Sequence, residues 1–375
     1  MAPLNILHVL RAPVGGLFRH VLDLARGQIE RGHRVGVVAD SLTGATAAEK
    51  ALNELAPSLA LGLSRCPMHR HVHPADMLAL AHVMGRLRET QADVVHGHGA
   101  KGGAYGRLTF GQRAVRAYTP HGGSLLFSHD DLAGKVYLTT ERLLMRRGDL
   151  YLFESQFSAE TFRRKIGAPP GTVRIVHNGV SRAEFEPIPL APDATDLIFM
   201  GEMRALKGVD LLIEAVAQLR QSGRSVTATL VGDGPDIAAF RAQVERLNLS
   251  AGIGFRPPMP ARQAQALGRV MVMPSRMESL PYVVLETAAA GKPLIATRVG
   301  GIPEIYGPLA GQLVQPDDAN ALAEAIAACL DDLSSAAKTA KQLQERVAAA
   351  FSVEAMVEGV LAAYQDALKQ QPGRC

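Results

Sequence analysis

The sequence predicts an α/β protein of two domains, on three observations. Short apolar runs of four to six residues, such as Asn5–Leu10, Leu197–Met200 and Leu294–Thr297, alternate with longer stretches of helical spacing. Glycine-rich turns follow the runs, which is where a parallel sheet places its ligand loops. The length, 375 residues, exceeds the roughly 150 expected of one domain. Pro187, Pro189 and Pro192 mark a linker, so the expected domains are 1–186 and 187–351, with 352–375 as a separate helical segment.

Hydrophobic residues make up 47% of the chain and charged ones 20%, the balance of a globular protein with large cores. No stretch approaches the roughly 20 unbroken apolar residues of a membrane span. The start, MAPLNILHVL, has no basic segment ahead of its apolar run, so no signal peptide is expected. Cys66, Cys329 and Cys375 are odd in number and scattered, which argues for a reducing compartment and against a disulfide framework or zinc site. The expected location is the cytoplasm. Charge is uneven: residues 1–190 hold 23 Lys and Arg against 16 Asp and Glu, although the whole chain is only +4. Such a half can approach anionic lipid or an anionic acceptor, or can be an ordinary solvated surface. All 12 histidines lie at or before His177, which fits a first half with duties of its own.

Taken in order, Asn5–Leu10 reads as a strand and Leu17–Arg31 as a helix with Leu17, Val21, Leu24, Ala25 and Ile29 on one face. Val35–Ala39 is the next strand. The Gly15-Gly16 turn lets a ligand approach the backbone at a helix N-terminus, unless it is only a tight turn. Its spacing is not that of a dinucleotide fingerprint. Residues 41–92 are less regular; His69, His71 and His73 alternate there, as a metal chelate or as a plain loop. Ala92–His96 is expected as a strand, and Lys101-Gly102-Gly103 as the opening of a helix with a second anion-binding end. Ala114–Thr119 puts Pro120-His121-Gly122-Gly123 at the carboxyl end of a further strand. Asp131–Arg147 reads as an amphipathic helix carrying Lys135, Arg142, Arg146 and Arg147, either a membrane-contacting face or an ordinary surface helix. Asp149–Glu154, Ser158–Ile166 and Val173–Val176 complete the first half as strand, helix and strand.

In the second half, Leu197–Met200 leads to the loop Gly201–Gly208, and Lys207 is expected to begin a helix through Val209, Leu212, Ile213, Val216 and Leu219. Lys207 and Arg204 are cations placed to neutralise a diphosphate. Val226–Val231 and Ile253–Phe255 read as strands around a helix at Ile237–Leu247. The most informative stretch is Glu278–Gly301, after the buried run Val270–Met273. Pro281 suits the first turn of a helix and Gly291 the position after its end. Glu278 therefore sits on a loop, and Glu286 lies eight residues later inside the helix. Carboxylates repel phosphate but accept hydrogen bonds from hydroxyls. Two of them beside a helix N-terminus suit a ligand with hydroxyls on both sides of its phosphates, such as a nucleotide-sugar. Gln312–Val314 is expected as a last strand, Asn320–Leu330 as a helix, and Val353–Leu368 as a final helix capped by Ser352.

Glu278 and Glu286, with seven residues between them, resemble the E-x7-E motif of retaining glycosyltransferases of family four, which have the GT-B fold. The likeness continues, in the family's order, in Gly15-Gly16-Leu17-Phe18-Arg19-His20, Thr119-Pro120-His121-Gly122, His177-Asn178-Gly179-Val180, Gly201 with Lys207-Gly208, and Val231-Gly232-Asp233-Gly234. The resemblance implies two Rossmann-like domains facing a cleft, the terminal segment crossing back to the first. It implies transfer of a sugar from a UDP- or GDP-linked donor to a hydroxyl, with no cofactor and no metal. His121 and Glu278 are then the catalytic candidates, and Gly15, Gly16, Arg204, Lys207, Phe255, Leu280, Tyr282, Val283 and Glu286 the donor-binding ones.

His121 is expected to orient the sugar and stabilise positive charge at its anomeric carbon, unless it is structural. Phe255 lies near the base or is plain core. Two positions depart from the family pattern: Glu202 follows Gly201 where an arginine is usual, which leaves Arg204 as its substitute, and Pro281 replaces a common glycine, which leaves Tyr282 and Val283 to supply N–H groups. The likeness of Ala100–Gly103 and Pro120–Leu125 to surface-polysaccharide transferases implies a lipid-linked saccharide acceptor, an anionic inner-membrane surface as a peripheral contact, and no nucleic acid. A nucleotide-sugar 2-epimerase and a non-catalytic nucleotide-sugar-binding protein on the same fold are the competing readings.

Overall fold

Each apolar run of the first half becomes a strand of one parallel sheet in the computed structural model, which describes residues 2–111, 113–128, 130 and 132–371. The elements are β1 (Asn5–Leu10), α1 (Gly15–Glu30), β2 (Arg34–Asp40), α2 (Ala45–Leu55), β3 (Leu63–Cys66), α3 (Asp76–Thr90) and β4 (Val94–His98). There follow α4 (Gly99–Leu108), β5 (Val115–Thr119), α5 (Leu132–Met145), β6 (Leu150–Phe153), α6 (Gln156–Lys165) and β7 (Thr172–Ile175). The strand order is β3-β2-β1-β4-β5-β6-β7. Side chains alternate across it. Ile6 packs with Leu24 of α1 on one face, while Leu7 and Val9 pack with Val83 and Leu87 of α3 on the other.

The second sheet is built in the same way. Its elements are β8 (Thr195–Met200), α7 (Val209–Gln221), β9 (Ala228–Val231), α8 (Ile237–Arg246), β10 (Ile253–Arg256), α9 (Ala261–Ala266) and β11 (Gly268–Met273). Then come α10 (Tyr282–Ala289), β12 (Leu294–Ala296), α11 (Ile302–Tyr306), α12 (Ala319–Asp331) and α13 (Leu333–Ala350). The order is β10-β9-β8-β11-β12, again parallel. Leu197 and Phe199 face α7 and α12; Ile198 and Met200 face α10 and α13.

The chain forms two compact units, Met1–Gly179 with Val353–Cys375, and Val180–Ser352. Pro187, Pro189 and Pro192 lie within the second unit. The last helix, α14 (Val353–Lys369), belongs to the first unit, where Met356, Val357, Val360, Leu361 and Tyr364 join the core around Ile6, Leu24 and Val94. Each such side chain contributes about 1.5–3 kcal/mol by leaving water.

Several expected elements are corrected. Residues 41–92 are regular, containing α2, β3 and α3; alanine-rich α2 buries little beyond Ala48, Leu52 and Leu55, so its apolar period is faint. The long α13 was equally hidden, burying only Ala340, Leu343 and Val347. Gln312–Val314 is not a strand but a 3-10 turn, Gly307–Gln312, followed by one bridge from Val314 to Thr297. Lys207 ends a 3-10 turn, and Gly208 with φ +69° starts α7. Pro281 is the extended residue before α10 and not in its first turn. The helix after β4 opens at Gly99, not Lys101, whose ammonium pairs with Asp76 at 2.6 Å. Gly102 and Gly103 serve close packing there: a Cβ on Gly103 would stand 2.1 Å from the Tyr118 ring. Asp131 and Cys375, named in the sequence reading, lie outside the described residues.

Candidate active site

Both sheets reverse their order beside their first strand, between β1 and β4 and between β8 and β11. Ligands of such sheets bind outside the carboxyl ends of the strands at that point. In the first unit this place is filled with imidazole. His8 of β1 lies opposite His96 of β4 in register, and Leu10 lies opposite His98. Because β4 runs to His98, two residues beyond the expected end, His96 and His98 fall on one face, their ring centres 3.9 Å apart. His8 Nδ1 lies 2.9 Å from His98 Nε2, and His98 Nδ1 lies 3.0 Å from His121 Nε2. On the far side His8 Nε2 meets Gln28 Oε1 at 2.8 Å. His20 of α1 sets its ring edge against His121, centroids 4.7 Å apart, and its Nδ1 lies 3.0 Å from Asn178 Oδ1.

Burial keeps these rings neutral. It lowers His8 and His20 to about 4, opposed only in part by their hydrogen bonds to Gln28 and Asn178. It holds His96, His98 and His121 well below the ordinary histidine value, with the neighbouring histidines adding to the effect. Two triplets, His8–His96–His98 and His20–His98–His121, have ring nitrogens within 4.8 Å of one another and so the spacing to hold a metal. His69 and His73 instead stack on each other, and His71 offers its carbonyl to Lys101.

His121 sits in a left-handed turn, φ +52°, followed by Gly122 and Gly123 at +75° and +26°. A non-glycine residue there costs on the order of 1 kcal/mol or more and needs its surroundings to hold it. Glu141 of α5 does so: its Oε1 accepts from Tyr118 Oη at 2.8 Å and Ser124 Oγ at 3.0 Å, three residues either side of His121. Its other oxygen pairs with the fully buried Arg107 at 2.8 Å. The helix N-terminus at Gly15, by contrast, is open. Val14 is extended, no side chain caps it, and a Cβ on Gly15 would meet nothing within 4 Å.

In the second unit the loops after β8 and β11 are pressed together. A Cβ on Gly208 would stand 1.9 Å from Pro274 O, and one on Gly300 (φ +59°) 1.9 Å from Glu278 O, so only glycine fits. This contact brings Lys207 Nζ to 2.7 Å from Glu278 Oε1, which also accepts from Ser275 Oγ at 2.7 Å. Thr297 holds the Ser275 carbonyl at 2.5 Å, and Arg276 ties the same loop to Asp210 and Asp317. Glu278 Oε2 takes no hydrogen bond among the described residues. Glu286 lies one turn into α10, 8% exposed, beside buried Leu280 and Tyr282 and half-buried Val283. Among the described residues no side chain caps α10 and no acid stands in its first turn, the arrangement that leaves a helix's positive end without a counter-charge of its own.

Comparison with known proteins decides the class. Residues 14–184 match the family described as Glycosyltransferase Family 4, and residues 194–332 match Glycosyl transferases group 1. The chain is a GT-B glycosyltransferase. It is 29% identical to D-inositol 3-phosphate glycosyltransferase 1 of Catenulispora acidiphila, over 96% of this chain and 93% of the relative. It is 30% identical to the putative colanic acid biosynthesis glycosyltransferase WcaL of Escherichia coli K12, over 56% of this chain and 55% of that one. Its fold is that of Anabaena HepE, solved in complex with UDP, at a TM-score of 0.78 and 21% identity, covering 97% of this chain and all of the other.

Within the transferase, Glu278, Leu280, Tyr282, Val283 and Glu286 share the loop after β11 and the start of α10, and Lys207 reaches Glu278 from the loop after β8. Gly15 and Gly16 open α1 in the first unit, and His121 lies in the turn after β5. Arg204 pairs with Glu202 at 3.1 Å, so the cation expected as a substitute for the usual arginine is engaged by the residue at that arginine's place. Phe255 is on the outer strand β10, partly packed on the core, with the Arg241 guanidinium 4.5 Å above its ring. Sequence reading missed Ser275, Glu141 and four of the five clustered histidines. His96-Gly97-His98 at a strand end was a usable signal, since strand alternation puts both rings on one side. No helix among the described residues is long and apolar enough to cross a membrane.

Proposed function

We propose that the transferase moves a sugar from a nucleoside diphosphate sugar, UDP- or GDP-linked, to a hydroxyl with retention at the anomeric carbon. The observation that carries this reading is the Lys207–Glu278–Ser275 set beside the uncapped start of α10. Lys207, the α10 N–H groups and Arg204 would take the charge that the leaving diphosphate gains in the transition state. Glu278 Oε2 would accept from sugar hydroxyls, and Glu286 from the ribose. His121, kept neutral, would accept a hydrogen bond near the anomeric carbon without repelling the positive charge that grows there. The bond from that carbon to the diphosphate breaks as the acceptor oxygen bonds on the same face, and the acceptor proton passes to the leaving phosphate oxygen.

The acceptor we infer is a lipid-linked saccharide of surface-polysaccharide assembly. The colanic acid relative supports it, as does α5, which exposes Leu132, Val136 and Leu143 among Lys135, Arg142 and Arg146. Such a stripe suits the anionic inner face of a membrane. Because cations of the chain do the neutralising, no metal is invoked, and EDTA is expected to leave the rate unchanged. The UDP in the Anabaena neighbour makes UDP-sugars the first donors to try.

Thermal shift against nucleoside diphosphates and their sugars tests the donor site. A ligand at 100 times its Kd adds about 2.7 kcal/mol, a visible shift. A response to one base names the donor; no response to any would remove the donor site and the reading with it.

A further inference from the structure

Three contacts join three buried side chains and the half-buried His121 into one file, from Gln28 through His8 and His98 to His121, at 2.8, 2.9 and 3.0 Å. Gln28, His8 and His98 are at most 1% exposed, so no bulk water competes for these nitrogens. A neutral imidazole has one N–H and one lone pair. In an unbroken file each ring must therefore donate at one nitrogen and accept at the other, and a choice made at one end is passed to the other. The amide oxygen of Gln28 can only accept. His8 then donates from Nε2 and accepts at Nδ1, His98 donates from Nε2 and accepts at Nδ1, and His121 donates from Nε2.

His121 Nδ1 is left over, with no hydrogen bond among the described residues and not sealed from solvent. A second file runs beside the first and satisfies His96: Tyr364 Oη meets His96 Nδ1 at 2.7 Å, and His96 Nε2 meets Thr119 Oγ1 at 2.8 Å, while the fifth ring, His20, bonds Asn178 through Nδ1 and leaves its buried Nε2 without a partner among the described residues.

We infer that Gln28, His8 and His98 are positioning residues that hold His121 as its Nε2–H tautomer and so present the bare Nδ1 lone pair to the sugar. This rests on the reading above in which His121 meets the donor. The tautomer matters because the lone pair attracts a hydroxyl proton or a carbon gathering positive charge, whereas an N–H edge at the same place repels the latter. Reversal would require all three protons to move and the Gln28 amide to rotate within the core. Burial supports the scheme from another side, since a second proton on any ring would break the one-proton-per-link rule, and His8 is held at about 4.

The test is long-range proton–nitrogen NMR on protein with 15N-labelled histidine, with the His121 signals identified by their loss in His121→Ala. The native protein should show protonated Nε2 and bare Nδ1 at His121. Gln28→Leu should give a mixture of tautomers and lower kcat roughly tenfold with donor KM unchanged, about the worth of one hydrogen bond. Gln28→Glu, whose carboxylate also only accepts, should keep the Nε2–H form and recover most of kcat. A protonated Nδ1 in the native protein, or an unchanged His121 tautomer in folded Gln28→Leu, would overturn the inference, and the native measurement stands even if Gln28→Leu does not fold. So would one zinc per chain that is lost in His98→Ala, because the nitrogens would then be ligands. Full transfer by His121→Ala would instead overturn the proposed function, leaving the tautomer result to be judged by itself.

Discussion

The two units carry the same parallel topology and opposite electrostatics at the matching place. At the first unit's switch point stand buried histidines, each linked to another ring or an amide, and all neutral. At the second unit's stand a lysine and a carboxylate in contact, on a loop fixed from behind by Arg276. The difference teaches that the fold specifies only where a site can be, while the side chains there divide the electrostatic work. On the proposed function, full charges stand where a diphosphate would take up charge as it leaves, and neutral dipoles where a carbon would become positive.

Acid should give the largest effect and confine it to one unit. The unfolded chain binds protons at His8 and His20 near pH 6.5, and the folded one only near 4. Their contribution to stability is thus full above pH 6.5 and is lost as pH falls toward 4, by roughly 3 kcal/mol for each. The second unit's counterpart works at the other end of the scale. Burial lowers Lys292 to about 8, so that unit gains stability as pH rises from 8 toward 10.5. Calorimetry between pH 4.5 and 7 should show two transitions separating, the first unit melting earlier; two transitions that stay together would break the contrast.

Next in size, Glu141→Ala should cost about 3–5 kcal/mol, because it leaves Arg107 charged and buried without its partner. It also frees both ends of the His121 turn. Urea unfolding should show a lower midpoint, and Glu141→Gln, which retains an acceptor for Tyr118 and Ser124, should retain more activity than stability. Smaller again, Lys207→Ala should lower kcat by on the order of 100- to 1,000-fold, the usual loss when one group that stabilises transition-state charge is removed. Steady-state kinetics with Lys207→Arg would sharpen this, since a retained cation should recover part of the rate. An Ala variant at wild-type kcat would remove charge neutralisation from the second unit's role.

Much of this was legible in the sequence, for stated reasons. Strongly apolar strands such as Ile198–Met200 and Val270–Met273 announce a buried parallel sheet, and Glu278 and Glu286 fall in one stretch of sequence that the fold lays at the carboxyl end of β11 and in the helix after it. Helices α2 and α13 were not legible, since alanine gives their buried faces too little contrast. The histidine file was not legible either. Its members come from β1, β4 and the turn after β5, and only strand register sets His8 beside His96. Ser275 acquires meaning through Glu278 Oε1 alone, a contact no spacing rule predicts.

Tyr364 holds His96 from the last helix of the chain, and α14 fills the core between Leu24 and Val94. The order of synthesis therefore runs against the order of assembly. A ribosome that has finished residues 1–179 has made every strand of the first sheet, yet must translate the whole second unit before the covering helix emerges. Until then the nascent sheet shows an apolar face to the cell, and His96 lacks the Tyr364 hydroxyl that meets its Nδ1. The imidazole cluster of the first unit is among the last things the chain completes.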